Sequence, residues 1–200
     1  MATMNNIILS LKKLKTKAQD IGASDVKIIS TTVIPVEDEI IELCKEPLCA
    51  SYGNSIYCPP HAMKPQRFRE LLTKYEDAVI FKIDVSSKIL LSKKRFDEFR
   101  KIYEIATRLE SFAIEDGFSE SEGFAAGSCK PVFCPEYQCQ AIIDGKACRY
   151  PDKARPSMEA VGINVFKLVR EVGWEINKIT ANSDPDSVQN GLLAGMLLVG

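Results

Sequence analysis

The segment Asp77–Val85, DAVIFKIDV, is a short apolar run that is rich in β-branched and aromatic residues. A run of this kind predicts a buried strand, with Ile80 and Phe81 inside the protein. A second run, GLLAGMLLVG at 191–200, is about half as long as a membrane span requires. Both runs therefore predict buried strands and not a membrane segment.

Helical periodicity flanks these runs in the first half of the chain. Apolar residues recur at helical spacing over 5–21, and KPQRFRELLTKY at 64–75 predicts a helix that opens at Pro65. Between them, DVKIISTTVIPV at 25–36 is β-branched and predicts a strand. The expected order is helix, strand, cysteine-rich segment, helix and strand.

The second half predicts a similar order. Residues 92–116 give the longest periodic helix, and SEGFAAGS at 121–128 predicts a short strand before a second group of cysteines. A further helix is expected over 154–173, with Ser157 as its N-cap. Strands are then expected in WEINKIT, 174–180, and in the run at 191–199.

Alternation of strands with helices predicts an α/β fold with a mostly parallel or mixed sheet in a single domain, residues 1–200. Loops that leave the carboxyl ends of parallel strands gather at one edge of a sheet, where such folds bind their ligands. Because both cysteine groups follow predicted strands, we expect them to converge there.

The seven cysteines lie in two segments, residues 44–61 and 129–151. Cys44, Cys49 and Cys58 follow the spacing C-x4-C-x8-C, and Cys134, Cys139 and Cys148 repeat it 90 residues later. The repeated spacing suggests two related halves, 1–90 and 91–200, with Cys129 as an additional thiol in the second half.

Several observations indicate what these thiols do. The N-terminal segment lacks a long apolar run and a cleavage site, so we expect a cytoplasmic location, where clustered cysteines more often hold metal than form disulfides. A net charge of −1 without a long basic run argues against nucleic acid as the main partner. Metal binding is therefore the leading prediction.

Two kinds of metal site remain open. Structural zinc sites hold four sulfurs about 3.8 Å apart and usually draw two of them from C-x2-C, which this sequence lacks. Gaps of four and eight residues suit the wider span of a 4Fe-4S cluster, and the Cys-Pro steps at Cys58 and Cys134 are similar to one in bacterial ferredoxins. One or two iron–sulfur clusters are favoured, with zinc as the alternative.

The two cysteine groups also differ in their number of ligands. Four thiols (Cys129, Cys134, Cys139 and Cys148) saturate a cluster, whereas three (Cys44, Cys49 and Cys58) leave a position for His61, Glu39 or a substrate. His61 also completes a four-ligand zinc site with those three. Three functions stay open: an enzyme that uses an open iron, a non-catalytic electron carrier and a zinc-stabilised interaction module. The expected partner is a redox protein or a small molecule, which the sequence does not identify.

The segments CKEPLCASYGNSIYCPPH, CRYPDKARPSMEAVGINV and GLLAGMLLVG resemble an uncharacterised, predicted metal-binding protein family, a domain of unknown function common in anaerobic microbes. The resemblance covers nearly the whole chain. It implies metal binding, and the anaerobic setting favours iron–sulfur, but it implies no particular reaction.

Overall fold

A computed structural model describes residues 4–46, 48–180, 182–188 and 190–200. Its strands form one four-stranded sheet in the order β1-β2-β4-β3, and every neighbouring pair is antiparallel. The bounds of the strands are β1 Asp25–Ser30, β2 Asp77–Ser86, β3 Glu122–Phe124 and β4 Asn190–Val199. The two apolar runs identified in the sequence thus form the central strands, β2 and β4.

The protein therefore has an α/β fold, but the prediction of a mostly parallel or mixed sheet is wrong. The expectation rested on the alternation of strands with helices, which usually gives parallel strands joined by crossovers. Here helices cover both faces of an antiparallel sheet. The connection of 46 residues between β1 and β2 is long enough for either strand direction, so its length does not determine the pairing.

The alternating side chains of β2 show how the sheet divides the core. Val79 and Phe81 pack into a cluster with α1 and α5, whereas Ala78 and Ile80 face a second cluster that contains residues of α3 and α8. This two-residue alternation is the normal geometry of a strand. Most residues of the central strands are therefore buried.

Eight α-helices lie in the described residues, and the bounds of several agree with the sequence pattern. In chain order they are α1 Met4–Ile21, α2 Glu39–Glu42, α3 Pro65–Leu72, α4 Ser87–Leu90, α5 Arg95–Glu115, α6 Cys129–Phe133, α7 Gln140–Ile143 and α8 Val165–Glu171. Residues 1–3, part of the segment examined for a secretory signal, lie outside the described residues. None of the described helices is both long and apolar enough to cross a bilayer.

Two local expectations in the second half are wrong. The predicted helix over 154–173 is interrupted at Gly162, which is left-handed with φ +91°, so only a 3-10 turn at Glu159–Val161 precedes α8. Asn164, and not Ser157, caps α8 through its side chain. Residues 174–180 form no strand and run as irregular chain before β4.

Corresponding elements of the first and second parts of the chain lie in corresponding positions of the sheet. β1 and β3 are the edge strands, each followed by a cysteine segment, and β2 and β4 are the central strands that follow α3 and α8. The order helix, strand, cysteine segment, helix and strand therefore occurs twice along the chain. The division into related halves, 1–90 and 91–200, stays a prediction.

Candidate metal centre

The four thiols of the second cysteine segment border one small cavity. They come from the start of α6, the end of α6, the residue before α7 and the loop that follows α7: Cys129, Cys134, Cys139 and Cys148. Residues 54–57 of the first cysteine segment complete the wall. The cavity has a volume of about 20 Å³, which is room for about one water molecule.

The first cysteine segment is a series of turns between α2 and α3. The Cys49 N–H donates to the carbonyl of Cys44 at 2.9 Å, and the peptide between Pro59 and Pro60 is cis. Burial, followed by the neighbouring thiols of Cys49 and Cys58, raises the pKa of Cys44 to about 11. The three thiols therefore lie close enough to influence one another electrostatically.

Two reciprocal contacts join the cysteine segments. The Cys58 thiol donates to the hydroxyl oxygen of Ser128 at 3.2 Å, and the Ser55 hydroxyl lies 3.1 Å from the Cys129 sulfur. Each segment thus places a serine against a buried cysteine of the other. The two segments meet, as expected, but not for the expected reason. β1 and β3 run in opposite directions, so their carboxyl ends do not lie at the same edge of the sheet.

Local turns fix the positions of both serines. The Ser55 oxygen accepts the Tyr57 N–H at 3.1 Å, and the Ser128 oxygen accepts the Lys130 N–H at 3.2 Å as the N-cap of α6. Hydroxyls held in this way are oriented before any ligand arrives. A hydroxyl beside a sulfur can donate a hydrogen bond to it once the sulfur is a thiolate.

Burial controls the protonation of these thiols. It raises the pKa of Cys129 to about 12, despite the opposing effect of the Ser55 hydroxyl. Burial likewise raises the pKa of Cys134, which the charge of Arg149 partly offsets. Without a bound cation, Cys129 and Cys134 therefore stay neutral at physiological pH, and metal binding by these thiols would release protons.

The donor set suits a thiophilic metal, but its sulfurs do not surround a common point. Within the described ranges, no group of three or more His, Cys, Asp and Glu side chains forms a ready-made metal site. The four thiols around the cavity would therefore have to come closer together to bind an ion. The agreement with a thiophilic metal therefore rests on the kind and number of donor atoms and on the cavity that the four cysteines share.

The two other predicted ligands lie on the surface. His61 is exposed, and its backbone N–H donates to the carbonyl of Cys58 at 3.0 Å. Glu39 is exposed at the start of α2. The side chains of both residues are absent from the walls of the thiol cavity.

A partly buried ion pair anchors the end of the second cysteine segment to α5. Arg155 Nε donates to Glu110 Oε2 at 2.5 Å, and both side chains are less than one-fifth exposed. The same carboxylate oxygen accepts the Gly123 N–H of β3 at 3.2 Å. Arg155 is therefore engaged within the fold, whereas Arg149 stacks on Tyr137 with 4.5 Å between the guanidinium carbon and the ring centre.

Sequence reasoning missed Ser55, Ser128 and the buried carboxylate of Glu159. Ser128 directly precedes Cys129, so its position was a usable signal, whereas the pairing of Ser55 with Cys129 depends on tertiary contacts. Glu159 lies in the segment over which the sequence predicts a helix, and its Oε2 atom is buried and has no hydrogen-bond partner.

The family model described as "Predicted metal-binding protein (DUF2284)" matches residues 27–199. The match contains both cysteine segments and all four strands except the first two residues of β1. No curated protein and no solved structure gives a significant match to the chain.

Proposed function

This chain belongs to the predicted metal-binding protein family, and from that premise we propose that its cysteines hold one or two 4Fe-4S clusters used in redox or small-molecule chemistry. One observation carries the proposal: four thiols border a single cavity, and serine–cysteine contacts join that cavity to the other three-cysteine segment. Four thiolates are the complete protein ligand set of one cluster.

The protein groups around the thiols suit this role. Hydrogen bonds to cluster sulfurs are among the features that set a cluster's reduction potential. Ser55, Ser128 and the Tyr150 N–H, which lies 3.4 Å from the Cys148 sulfur, are the donors available for it. A cluster would supply electron transfer or, with an iron open to a substrate, Lewis-acid catalysis.

The unequal thiol count separates an enzyme from a carrier. Cys129, Cys134, Cys139 and Cys148 would fill one cluster, whereas Cys44, Cys49 and Cys58 would leave one position open. An open position favours an enzyme, and its occupation by a protein ligand such as His61 favours an electron carrier with a redox protein as partner. We place this chemistry in the cytoplasm, where the thiols stay reduced.

Zinc is the second candidate, and the size of the cavity favours it. A volume of about 20 Å³ accommodates a single ion with less rearrangement than a cluster. The protein would then be a zinc-stabilised interaction module, in which the metal fixes loops that have little regular structure.

Anaerobic purification followed by analysis of iron, zinc and acid-labile sulfide distinguishes the two candidates. We expect iron and sulfide in equal amounts, a brown colour and bleaching by dithionite. Zinc without sulfide, even after anaerobic reconstitution with iron and sulfide, would replace the cluster by the zinc module. Absence of any bound metal would contradict both.

A further inference from the structure

Two cations border the cavity that the four cysteines of the second segment share. Lys130 directly follows Cys129, Arg149 directly follows Cys148, and both line the cavity together with the thiols. Among the described residues of this lining, none is an aspartate or a glutamate. The lysine and arginine side chains that border the thiols therefore meet no opposite charge within the cavity wall.

Lys130 is held beside Cys134 by the backbone of its own segment. Its Nζ donates to the carbonyl of Cys134 at 2.7 Å and to the carbonyl of Pro135 at 3.2 Å. Both acceptors are neutral, so these bonds fix the ammonium group without neutralising its charge. The bonds thus hold a positive charge at the turn that carries Cys134.

Arg149 lies over an aromatic ring at the surface. Its guanidinium carbon is 4.5 Å from the ring centre of Tyr137, a distance at which a cation and a ring attract each other. This contact places the guanidinium without removing its charge. Arg149 is exposed, so solvent and salt screen its effect on the thiols in part.

Within the described ranges, no carboxylate of the protein forms an ion pair with either cation. The ion pair of the second cysteine segment joins Lys146 to Asp144 at 3.4 Å. A cation also follows Cys44 in the first segment, but this residue, Lys45, is paired with Glu42 at 2.8 Å. The second segment thus differs from the first in having cations whose charge acts on its thiols alone.

The charges at the cavity match those of a bound metal. Burial raises the pKa of Cys134, and the charges of Arg149 and, less strongly, of Lys130 act in the opposite direction, so both cations lie near this sulfur. Four thiolates around a zinc ion or an oxidised 4Fe-4S core leave a net charge of about −2. Two positive side chains at the same cavity balance that charge.

We propose that Lys130 and Arg149 are the counter-charges of the metal centre, which stabilise the thiolate-bound metal and make a bound cluster easier to reduce. Reduction adds an electron to a centre that is already negative, and neighbouring positive charges lower the cost of that step. The inference rests on the four cysteines being ligands, as in the proposed function. The charge balance holds for zinc and for iron–sulfur alike.

Metal release to bipyridine tests this role for either metal, because the chelator is uncharged and the cations do not attract it. We expect Arg149→Gln and Lys130→Gln each to release metal about threefold faster, and the double variant about tenfold faster. Lys146→Gln removes an exposed, carboxylate-paired cation of the same segment and should release metal at the unmodified rate. The same rate in the double variant and the unmodified protein would overturn the inference.

Arg149→Lys separates the charge of Arg149 from its packing on Tyr137. Lysine keeps the positive charge but lacks the planar group that covers the ring. We expect its release rate to stay within about twofold of the unmodified rate. Release as fast as in Arg149→Gln would overturn the role of Arg149 as a counter-charge. These surface variants keep the test open if Lys130→Gln does not fold.

The reduction potential gives a readout that a purely structural role would not move. For a protein that holds a cluster, we expect the double variant to have a more negative midpoint potential, by about 59 mV for a tenfold change in a one-electron equilibrium. Arg149→Lys should keep the unmodified potential. A redox titration followed by electron paramagnetic resonance measures both.

Metal analysis of the same samples separates this inference from the proposed function. An unchanged potential in a double variant that retains iron and sulfide would overturn the counter-charge role and leave the proposed function intact. Zinc without sulfide, released faster from the double variant, would refute the proposed function and support the counter-charge role. A protein that binds no metal would refute both.

Discussion

The Cys58 sulfur lies 3.2 Å from the hydroxyl oxygen of Ser128, a residue 70 positions later in the chain. Ser55 makes the reciprocal contact with Cys129 at 3.1 Å. Through this exchange each cysteine segment supplies a hydrogen-bonding group to a thiol of the other. The two segments are therefore in direct contact, and a change in either serine should affect both.

Replacement of Ser55 or Ser128 by alanine should weaken metal retention. Loss of a hydroxyl that orients a metal ligand typically lowers metal affinity about 10- to 100-fold. Ser128→Ala also removes the N-cap of α6, which costs about 1 kcal/mol of stability. Metal release to a chelator, measured beside the exposed control Ser119→Ala, checks the prediction, and identical release rates in all three variants would contradict it.

Glu110→Gln should destabilise the protein and loosen the end of the second cysteine segment. The change weakens a partly buried ion pair with Arg155 and the bond from Gly123, and we expect a loss of about 2 kcal/mol. Glu104→Gln, on the same helix, breaks an exposed pair with Arg108 and should cost about 0.5 kcal/mol or less. Urea unfolding measures both. Equal losses in the two variants would contradict the anchoring role.

Gly127→Ala should cost more than the same change at Gly145. Both glycines have positive φ, +66° and +62°, so alanine is strained at either position. A Cβ added at Gly127 would also lie 2.8 Å from the Phe99 ring, whereas a Cβ added at Gly145 would meet no atom within 4 Å. We expect about 1 kcal/mol of destabilisation at Gly145 and about 1–3 kcal/mol more at Gly127. Thermal unfolding compares the stabilities of the two variants. Equal losses of stability would rule out a clash between the added Cβ and Phe99.

The metal-free protein should lose stability at alkaline pH. The folded-state pKa values of Cys44 and Cys129 are raised, to about 11 and about 12, from an ordinary value of 9.0. Their stabilising effect is thus fully present below pH 9 and is lost as the pH rises towards 11 and 12. Bound metal should remove this alkaline loss and introduce loss of metal in acid, because the ligands are then thiolates.

Denaturant unfolding of metal-free protein between pH 8 and 11 measures this effect. Cys129→Ala is the control, because it removes one contributing thiol and leaves the other ionisable side chains in place. Its stability should fall less steeply above pH 9. The same pH slope in the variant and in the unmodified protein would contradict the proposed burial of a neutral Cys129 thiol.

Much of the secondary structure follows from local sequence, because periodicity and capping act over a few residues. α1, α3, α5 and the two central strands lie where the patterns predicted them. The failure over 154–173 has a local cause as well, since Gly162 takes a left-handed conformation that ends the helical turn. Its added Cβ would lie 2.8 Å from Pro65, a contact that only the tertiary fold creates.

The direction of the strands could not be read from the sequence. A continuous apolar run such as residues 191–199 indicates a strand that is covered on both faces. It does not indicate whether the neighbouring strands are parallel or antiparallel to it. Four of the seven predicted ligands, the cysteines of the second segment, line one cavity, and their role as ligands stays a prediction. The serine partners of Cys58 and Cys129 depend on contacts between distant segments. Such contacts leave no periodic signal.

X-ray absorption at the metal edge of anaerobically purified protein tests the central claim most directly. The account predicts iron surrounded by sulfur, with a short iron–iron distance that marks a cluster, and loss of that signal when Cys134 and Cys139 are both replaced by serine. Iron or zinc bound only to nitrogen and oxygen, or a metal signal unchanged in the double variant, would contradict the assignment of these cysteines as the metal ligands.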